Sequence, residues 1–235
     1  MLGQIARRLA YKIRHQLQPK TITLNGIRLT TERDHVPKDI QKQLYQNRYE
    51  SQELSLVRAA LVPGDRVLEV GAGIGFIGIA CAKICGQDNI LSYEPNPAMK
   101  AVIEKNYQLN GLRPNLRNKV LDVEAGEVEF YFSEGVLSSS LIDRNQGSAT
   151  RVEADGISQV MDDFAPTAIV MDVEGAEIEL LRRCSLDGVS KLVIEMHPHV
   201  VGPEQIDDLC DYLKDTGFSL KNRISKVYMF QRNDV

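Results

Sequence analysis

From residue 51 onward the apolar positions keep changing period, and the order of the changes is that of an α/β sheet. Helical spacing predicts helices over 51–61, 75–85, 97–110, 176–184 and 203–214. Between them, short apolar runs at 66–71, 89–94, 117–122, 168–173 and 191–196 predict strands. Alternating strands and helices mean a mostly parallel sheet covered by helices on both faces. The closing strands, 218–222 and 226–232, are joined too tightly for a helical crossover, so one of them must run antiparallel. Residues 127–133 alternate as an extra strand, and 134–150, rich in Ser, Gly and Asn, predict a loop long enough to serve an active site.

Ahead of this unit, Leu2, Ile5, Ala6, Leu9, Ala10, Ile13 and Leu17 recur at helical spacing, with Arg7, Arg8, Lys12 and Arg14 mostly on the other side. This predicts a cationic amphipathic helix over 2–17 with two readings. It packs on the core or on a second copy, giving a homo-oligomer, or residues 1–20 meet a membrane surface or an acidic carrier protein. Thr21–Thr30 reads as a hairpin around Asn25-Gly26. Residues 31–50 are polar and are expected to cover a cofactor. The chain therefore divides into an N-terminal helix, hairpin and covering segment, 1–50, and one α/β domain, 51–235.

At 235 residues and 43% hydrophobic content, the chain suffices for one sizeable core with an appendage. The formal charge of −4 hides an asymmetry: residues 1–31 hold six Lys and Arg and no acid, so the remainder carries −10. An acidic body offers no general attraction to a phosphate backbone, so no nucleic-acid substrate is expected. Cys81, Cys85, Cys184 and Cys210 form no CxxC pair and fit reduced thiols. No apolar run has the length of a membrane span, and the first residues lack a signal-peptide core. A cytoplasmic enzyme is expected, with any membrane contact peripheral.

The chemistry begins at Arg66-Val-Leu-Glu-Val-Gly-Ala-Gly-Ile-Gly75. A dinucleotide fingerprint wants its third glycine three residues after the second; here Gly71, Gly73 and Gly75 alternate and bulky Phe76 follows. Gly71, Ala72, Gly73 and Gly75 would form an uncovered turn beneath the amino-acid portion of S-adenosylmethionine (SAM). Glu69 would face that turn and accept from the ammonium of the methionine moiety. The acid expected for the ribose hydroxyls is Glu94, held at the strand end by Pro95.

The glycine turn, Glu94-Pro95, Asp172-Val-Glu-Gly-Ala-Glu177 and Glu195-Met-His197-Pro together resemble the FkbM-type SAM-dependent methyltransferases, from about Tyr49 to Phe230. The Asp-Val-Glu-Gly-Ala-Glu element is the specific part, since the glycine turn alone marks only the wider class I methyltransferase fold. The resemblance implies a Rossmann-like seven-stranded sheet whose last strand pair is antiparallel. It also implies an O-methyltransferase acting on hydroxyls of small molecules, natural products or glycans, with S-adenosylhomocysteine as product. Tyr49-Glu50 matches a pair that precedes the first core helix in this family. Asp122 is a candidate for the adenine amine, with the Val123 backbone as the alternative that a one-residue shift allows.

Methyl transfer to an alcohol needs a base. Asp172, Glu174, Glu195 and His197 fall at or near two strand ends, and His197, with an ordinary pKa of about 6.5, suits neutral pH. Asp172 would act as base, orient His197 or hold the hydroxyl. Glu177 would sit in a first helical turn, where a carboxylate also stabilises the helix dipole. Some sugar O-methyltransferases hold Mg²⁺ through acids near such strand ends, and Asp172 and Glu174 offer hard oxygens. An alternating pair on a strand points opposite ways, however, and no third acid is assigned, so a Mg²⁺ site stays open but is not favoured. Two other classes compete: a nicotinamide-dependent oxidoreductase, which the glycine spacing opposes, and a non-catalytic SAM-binding protein, which the intact acids oppose.

Overall fold

The computed structural model describes residues 2–133 and 147–233. Helix α1 (Leu2–Leu17) precedes the hairpin β1 (Thr21–Leu24) and β2 (Ile27–Thr30), then α2 (Lys38–Tyr45) and α3 (Ser51–Ala60). The alternating unit runs β3 (Val67–Val70), α4 (Phe76–Cys85), β4 (Ile90–Tyr93), α5 (Pro97–Leu109) and β5 (Leu116–Arg117). Next come β6 (Val120–Asp122), β7 (Gly126–Ser133), β8 (Gly147–Gly156) and α6 (Ile157–Phe164). The chain closes with β9 (Ala168–Met171), α7 (Glu177–Arg183), β10 (Lys191–Glu195), α8 (Pro198–Val201), α9 (Pro203–Asp215), β11 (Phe218–Ile224) and β12 (Val227–Arg232).

The main sheet has seven strands in the order β11-β12-β10-β9-β3-β4-β5. Neighbours from β10 to β5 pair parallel, while β12 is antiparallel to both β10 and β11. The tight joint at Ser225-Lys226 therefore resolves as expected, with β12 the reversed strand. Period 2 along each strand sends side chains alternately into two cores. Val67, Ile90 and Val193 join the core under α3, α4 and α5. Leu68, Val70, Leu91, Tyr93, Leu192 and Ile194 join the one under α6, α7 and α9.

Four readings change. The strand expected at 117–122 breaks in two: β5 ends the main sheet, and β6 leaves it to pair with β8 in a three-stranded sheet. Of the loop expected at 134–150, residues 134–146 lie outside the described residues, whereas 147–150 open β8, which pairs antiparallel with β7. Helix α6 buries Ile157, Val160 and Met161, a helical spacing too short to stand out in the sequence. The polar segment 31–50 contains α2, which buries Ile40, Leu44 and Tyr45 in the same core as the hairpin residues Ile22, Leu24, Ile27 and Leu29.

Asn106 of α5 ties this N-terminal segment to the sheet. Its Oδ1 accepts from Thr30 N at 2.7 Å, and its Nδ2 donates to Ile74 O in the glycine turn at 2.8 Å. Helix α1 is anchored differently: Arg14 donates to Tyr45 O and to Asn47 Oδ1, while Leu9, Ile13 and Leu17 stay exposed. Among the described residues, no helix is long and apolar enough to cross a membrane.

Candidate active site

Ligands of open α/β sheets bind beyond the carboxyl ends of the strands, and that is where the candidate residues meet. Gly71 leaves β3 at φ +92, and a Cβ there would overlap the backbone carbonyl oxygen of Asp172 on the neighbouring strand. The amides of Gly71 and Ala72 both donate to Tyr93 O, at 2.9 and 3.0 Å, which clamps the turn to the end of β4. Glu94 is fixed from two sides: its Oε2 accepts from Gly73 N at 2.8 Å and its Oε1 from Asn96 N at 2.9 Å. Asn96 also caps α5, with Pro97 in the first turn, so the helix start and the acid are set together. Burial pushes the Glu94 carboxyl up to about 7, against these two backbone donors.

Gly71, Gly73, Glu94 and Pro95 line a cavity together with the apolar Val120, Leu121 and Phe130 and with Tyr49, Glu50, Asp172 and Glu174. Other expected cofactor contacts lie elsewhere. Ala72 is buried in the core, and Gly75 packs against Ile103 and Tyr107 of α5. Asp122 and Val123 fall outside this wall; the Asp122 carboxylate accepts from the Val123 amide at 2.7 Å, and Val120 and Leu121 face the cavity instead.

Glu69 is the clearest correction to the cofactor set. It does not face the glycine turn from the cavity side. Strand alternation groups it with Val67, under α4, where Ser92 Oγ donates to its carboxylate and Gly78 leaves it room by lacking a Cβ. Burial raises its pKa to about 7. Besides Glu94, the carboxylate near Gly73 is that of Glu50, at a left-handed φ of +42 where α3 begins. Burial raises the Glu50 pKa well above the ordinary range, as do the nearby charges of Asp172 and Glu69.

Asp172 and Glu174 converge, contrary to the strand-alternation argument. Strand β9 ends at Met171, so alternation no longer governs them, and Glu174 turns back at φ +55. His197, just past β10, is fully buried between them. Its Nδ1 lies 2.7 Å from Glu177 Oε1, which also accepts from Gly175 N at 3.2 Å. Its Nε2 lies 3.4 Å from Asp172 Oδ1, 3.6 Å from Glu174 Oε2 and 3.4 Å from Glu195 Oε1. Lys226, in the joint between β11 and β12, pairs with that same Glu195 oxygen. Glu53, in the first turn of α3, brings another carboxylate to Asp172 and Glu195.

This environment opposes the neutral-base reading of His197. Burial disfavours the imidazolium, but the hydrogen bond to Glu177, the close approach of Glu195 and the charges of Glu177 and Asp172 outweigh it and raise the pKa to about 10. With no cation between these groups, that direction favours the protonated ring, in which neither nitrogen can accept from an alcohol. Asp172 moves the other way for an acid: burial and the charges of Glu195, Glu174 and Glu177 push it to about 8, with His197 opposing. Glu177 is thus not merely a helix-end charge, since its buried carboxylate orients the imidazole. Lys226 and Glu53 had no motif to betray them.

A second, more polar cavity adjoins the first and shares Tyr49, Glu50, Asp172 and Glu174 with it. Its remaining wall includes Asp39, Gln43, Gln46, Arg48, Gln52 and Lys226.

The sequence matches the methyltransferase FkbM domain over residues 69–220. No curated protein matches the chain. Similar solved structures include a ribosomal protein L11 methylase from Lactobacillus delbrueckii subsp. bulgaricus, at 16% identity and TM-score 0.46, covering 77% of this chain and 76% of that one. A precorrin-6y C5,15-methyltransferase from Geobacter metallireducens is 15% identical with TM-score 0.45, covering 87% and 92%. A putative tRNA (m1A22) methyltransferase from Streptococcus pneumoniae in complex with S-adenosyl-L-methionine is 14% identical with TM-score 0.45, covering 79% and 74%.

Proposed function

The chain belongs to the FkbM methyltransferase family, and on that premise we propose that it moves a methyl group from SAM to a hydroxyl of a polar small molecule, natural product or glycan. Family membership decides against the nicotinamide-dependent oxidoreductase. The observation that carries the finer reading is that one set of acids, centred on Asp172, closes both cavities. A donor held in the first cavity and an acceptor entering the second would meet there.

The first cavity fits SAM in its donor set. The carboxylate of Glu94 suits the two ribose hydroxyls, the side-chain-free backbone of Gly71 and Gly73 suits the amino-acid portion, and Leu121 and Phe130 suit the adenine. When bound, SAM supplies an electrophilic methyl on a positively charged sulfur. The protein's part is to orient the acceptor and take its proton. Gln43, Gln46, Arg48 and Gln52 offer the second cavity hydrogen-bonding groups suited to a polyhydroxylated acceptor. Asp172, with its raised pKa, is in its ionised form a stronger proton acceptor than an ordinary carboxylate.

Two measurements test this reading. Labelled methyl from SAM should pass to hydroxylated acceptors and not to amine analogues of the same compounds; the reverse preference sinks the O-methyl assignment. Calorimetry should find SAM binding weakened by roughly 2–4 kcal/mol in Glu94→Ala, which removes two charge-assisted hydrogen bonds. Because ribose hydroxyls donate to the carboxylate, binding draws the proton from Glu94. The affinity of the parent protein should therefore rise about tenfold from pH 6 to pH 8, as the ionised fraction rises through a pKa near 7. A dissociation constant that stays flat over that window, or is unchanged in Glu94→Ala, would remove Glu94 from the site.

A further inference from the structure

His197 Nε2 is fully buried, has no hydrogen-bond partner among the described residues, and is aimed into a group of carboxylates. Asp172 Oδ1, 3.4 Å from it and as close as Glu195 Oε1, is likewise buried without a hydrogen bond. Leaving a ring nitrogen and a carboxylate oxygen in this state is costly unless something sits between them. The separations suit an ion. Two ligand atoms each about 2.1 Å from a first-row cation stand about 3.0–3.4 Å apart when their bonds meet at right or tetrahedral angles. The observed distances from Nε2 are 3.4 Å to Asp172 and 3.6 Å to Glu174, and the three ligand atoms lie within 4.8 Å of one another.

We propose that Asp172 Oδ1, Glu174 Oε2 and His197 Nε2 bind one first-row divalent cation of the Mn²⁺ or Fe²⁺ kind, at the junction of the two cavities. Glu177 supports the site without touching the ion: its carboxylate accepts from Nδ1–H, which leaves the lone pair on Nε2 for the metal. Glu195 is occupied differently, since Lys226 pairs with its Oε1. The mixed set of one imidazole and two carboxylates favours such cations over Mg²⁺, which prefers oxygen alone. The cation also offsets a concentration of negative charge that Lys226, paired with Glu195, answers only in part.

The role of the ion rests on the methyl-transfer reading; its binding does not. An acceptor hydroxyl bound to the cation would lose its proton more readily. That proton passes to Asp172 Oδ2, the oxygen's electron pair forms the bond to the methyl carbon, and the carbon–sulfur pair stays on sulfur, leaving S-adenosylhomocysteine.

The test uses chelator-treated full-length protein and Mn²⁺ alone, with neither SAM nor acceptor present, read by electron paramagnetic resonance and calorimetry. One Mn²⁺ per chain is expected, with Mg²⁺ at least tenfold weaker. His197→Gln and Glu174→Gln should each weaken Mn²⁺ binding at least tenfold, and Glu177→Gln by about 10–100-fold although it touches no ion. Thermal melts identify any variant that fails to fold; should buried His197→Gln do so, the more accessible Glu174→Gln decides. Absence of Mn²⁺ binding below millimolar concentration, equal binding of Mg²⁺, or full binding in folded Glu174→Gln would overturn the site. None of these results would touch the SAM assignment, which is read separately through Glu94.

Discussion

Asp172→Asn is expected to lower kcat by about 10²–10⁴-fold while leaving SAM affinity within about threefold of the parent. Asparagine keeps the size and a carbonyl oxygen of the side chain, so the wall shared by the two cavities should keep its shape. It cannot take a proton, and it carries no charge toward His197, 3.4 Å away. On the proposed reaction both losses would fall on the transition state, where the acceptor hydroxyl gives up its proton, and neither on the SAM contacts proposed for Glu94 and Phe130. The outcome separates Asp172 from Glu94, whose loss should appear in binding. Steady-state rates with calorimetry on the same preparation provide the check. Near-normal turnover in Asp172→Asn would move the proton to another acid, with Glu195 and Glu53, whose carboxylates cluster with that of Asp172, the first alternatives.

Gly71→Ala should cost about 3–5 kcal/mol of folding stability, from a strained φ together with overpacking against main chain. At φ +92 any side chain is disfavoured, and a Cβ would meet the Asp172 carbonyl, which is backbone and cannot rotate aside. Relief requires the ends of β3 and β9 to part beside Asp172, a residue proposed to take the acceptor's proton, so activity should fall with stability. The natural control is Gly111→Ala, at φ +71 with nothing within 4 Å of the added carbon, for which about 1 kcal/mol is expected. Denaturant melts of the two variants compare the same conformational penalty with and without the contact. Similar losses in both would mean that the approach of Gly71 to Asp172 is not what requires the glycine.

Much of the site was legible. The alternation of periods gave the sheet, the glycine spacing gave the turn, and Glu94-Pro95 marked the strand end that faces it. Glu69 failed although its strand was right. Alternation separates it from Leu68 and Val70, but which side α4 would cover could not be read from the strand itself. Asp172 and Glu174 failed in the opposite sense. A strand argument was applied one residue beyond the end of β9, where the turn at Glu174 brings the two acids together. Helix α2 was missed because Ile40, Leu44 and Tyr45 form too short an apolar stripe among polar neighbours.

The sequence by itself determined most of the elements, though not α2, α6 or the break at 117–122, together with the parallel sheet, its reversed last strand and the chemical types gathered at the strand ends. These follow from side-chain period, glycine conformations and the length of connections, all local properties of the chain. Only the tertiary structure decided the state of His197. Its partners Asp172, Glu174 and Glu177 arrive from the β9–α7 segment and Glu195 from β10, while Lys226 is brought to Glu195 by the antiparallel pairing of β12, where Met196 N donates to Lys226 O at 2.8 Å. A proton's affinity for an imidazole depends on every charge within a few ångströms and on the water excluded around it. Those distances are set by strand register and by the burial of Glu177, neither of which is written in the residues beside His197.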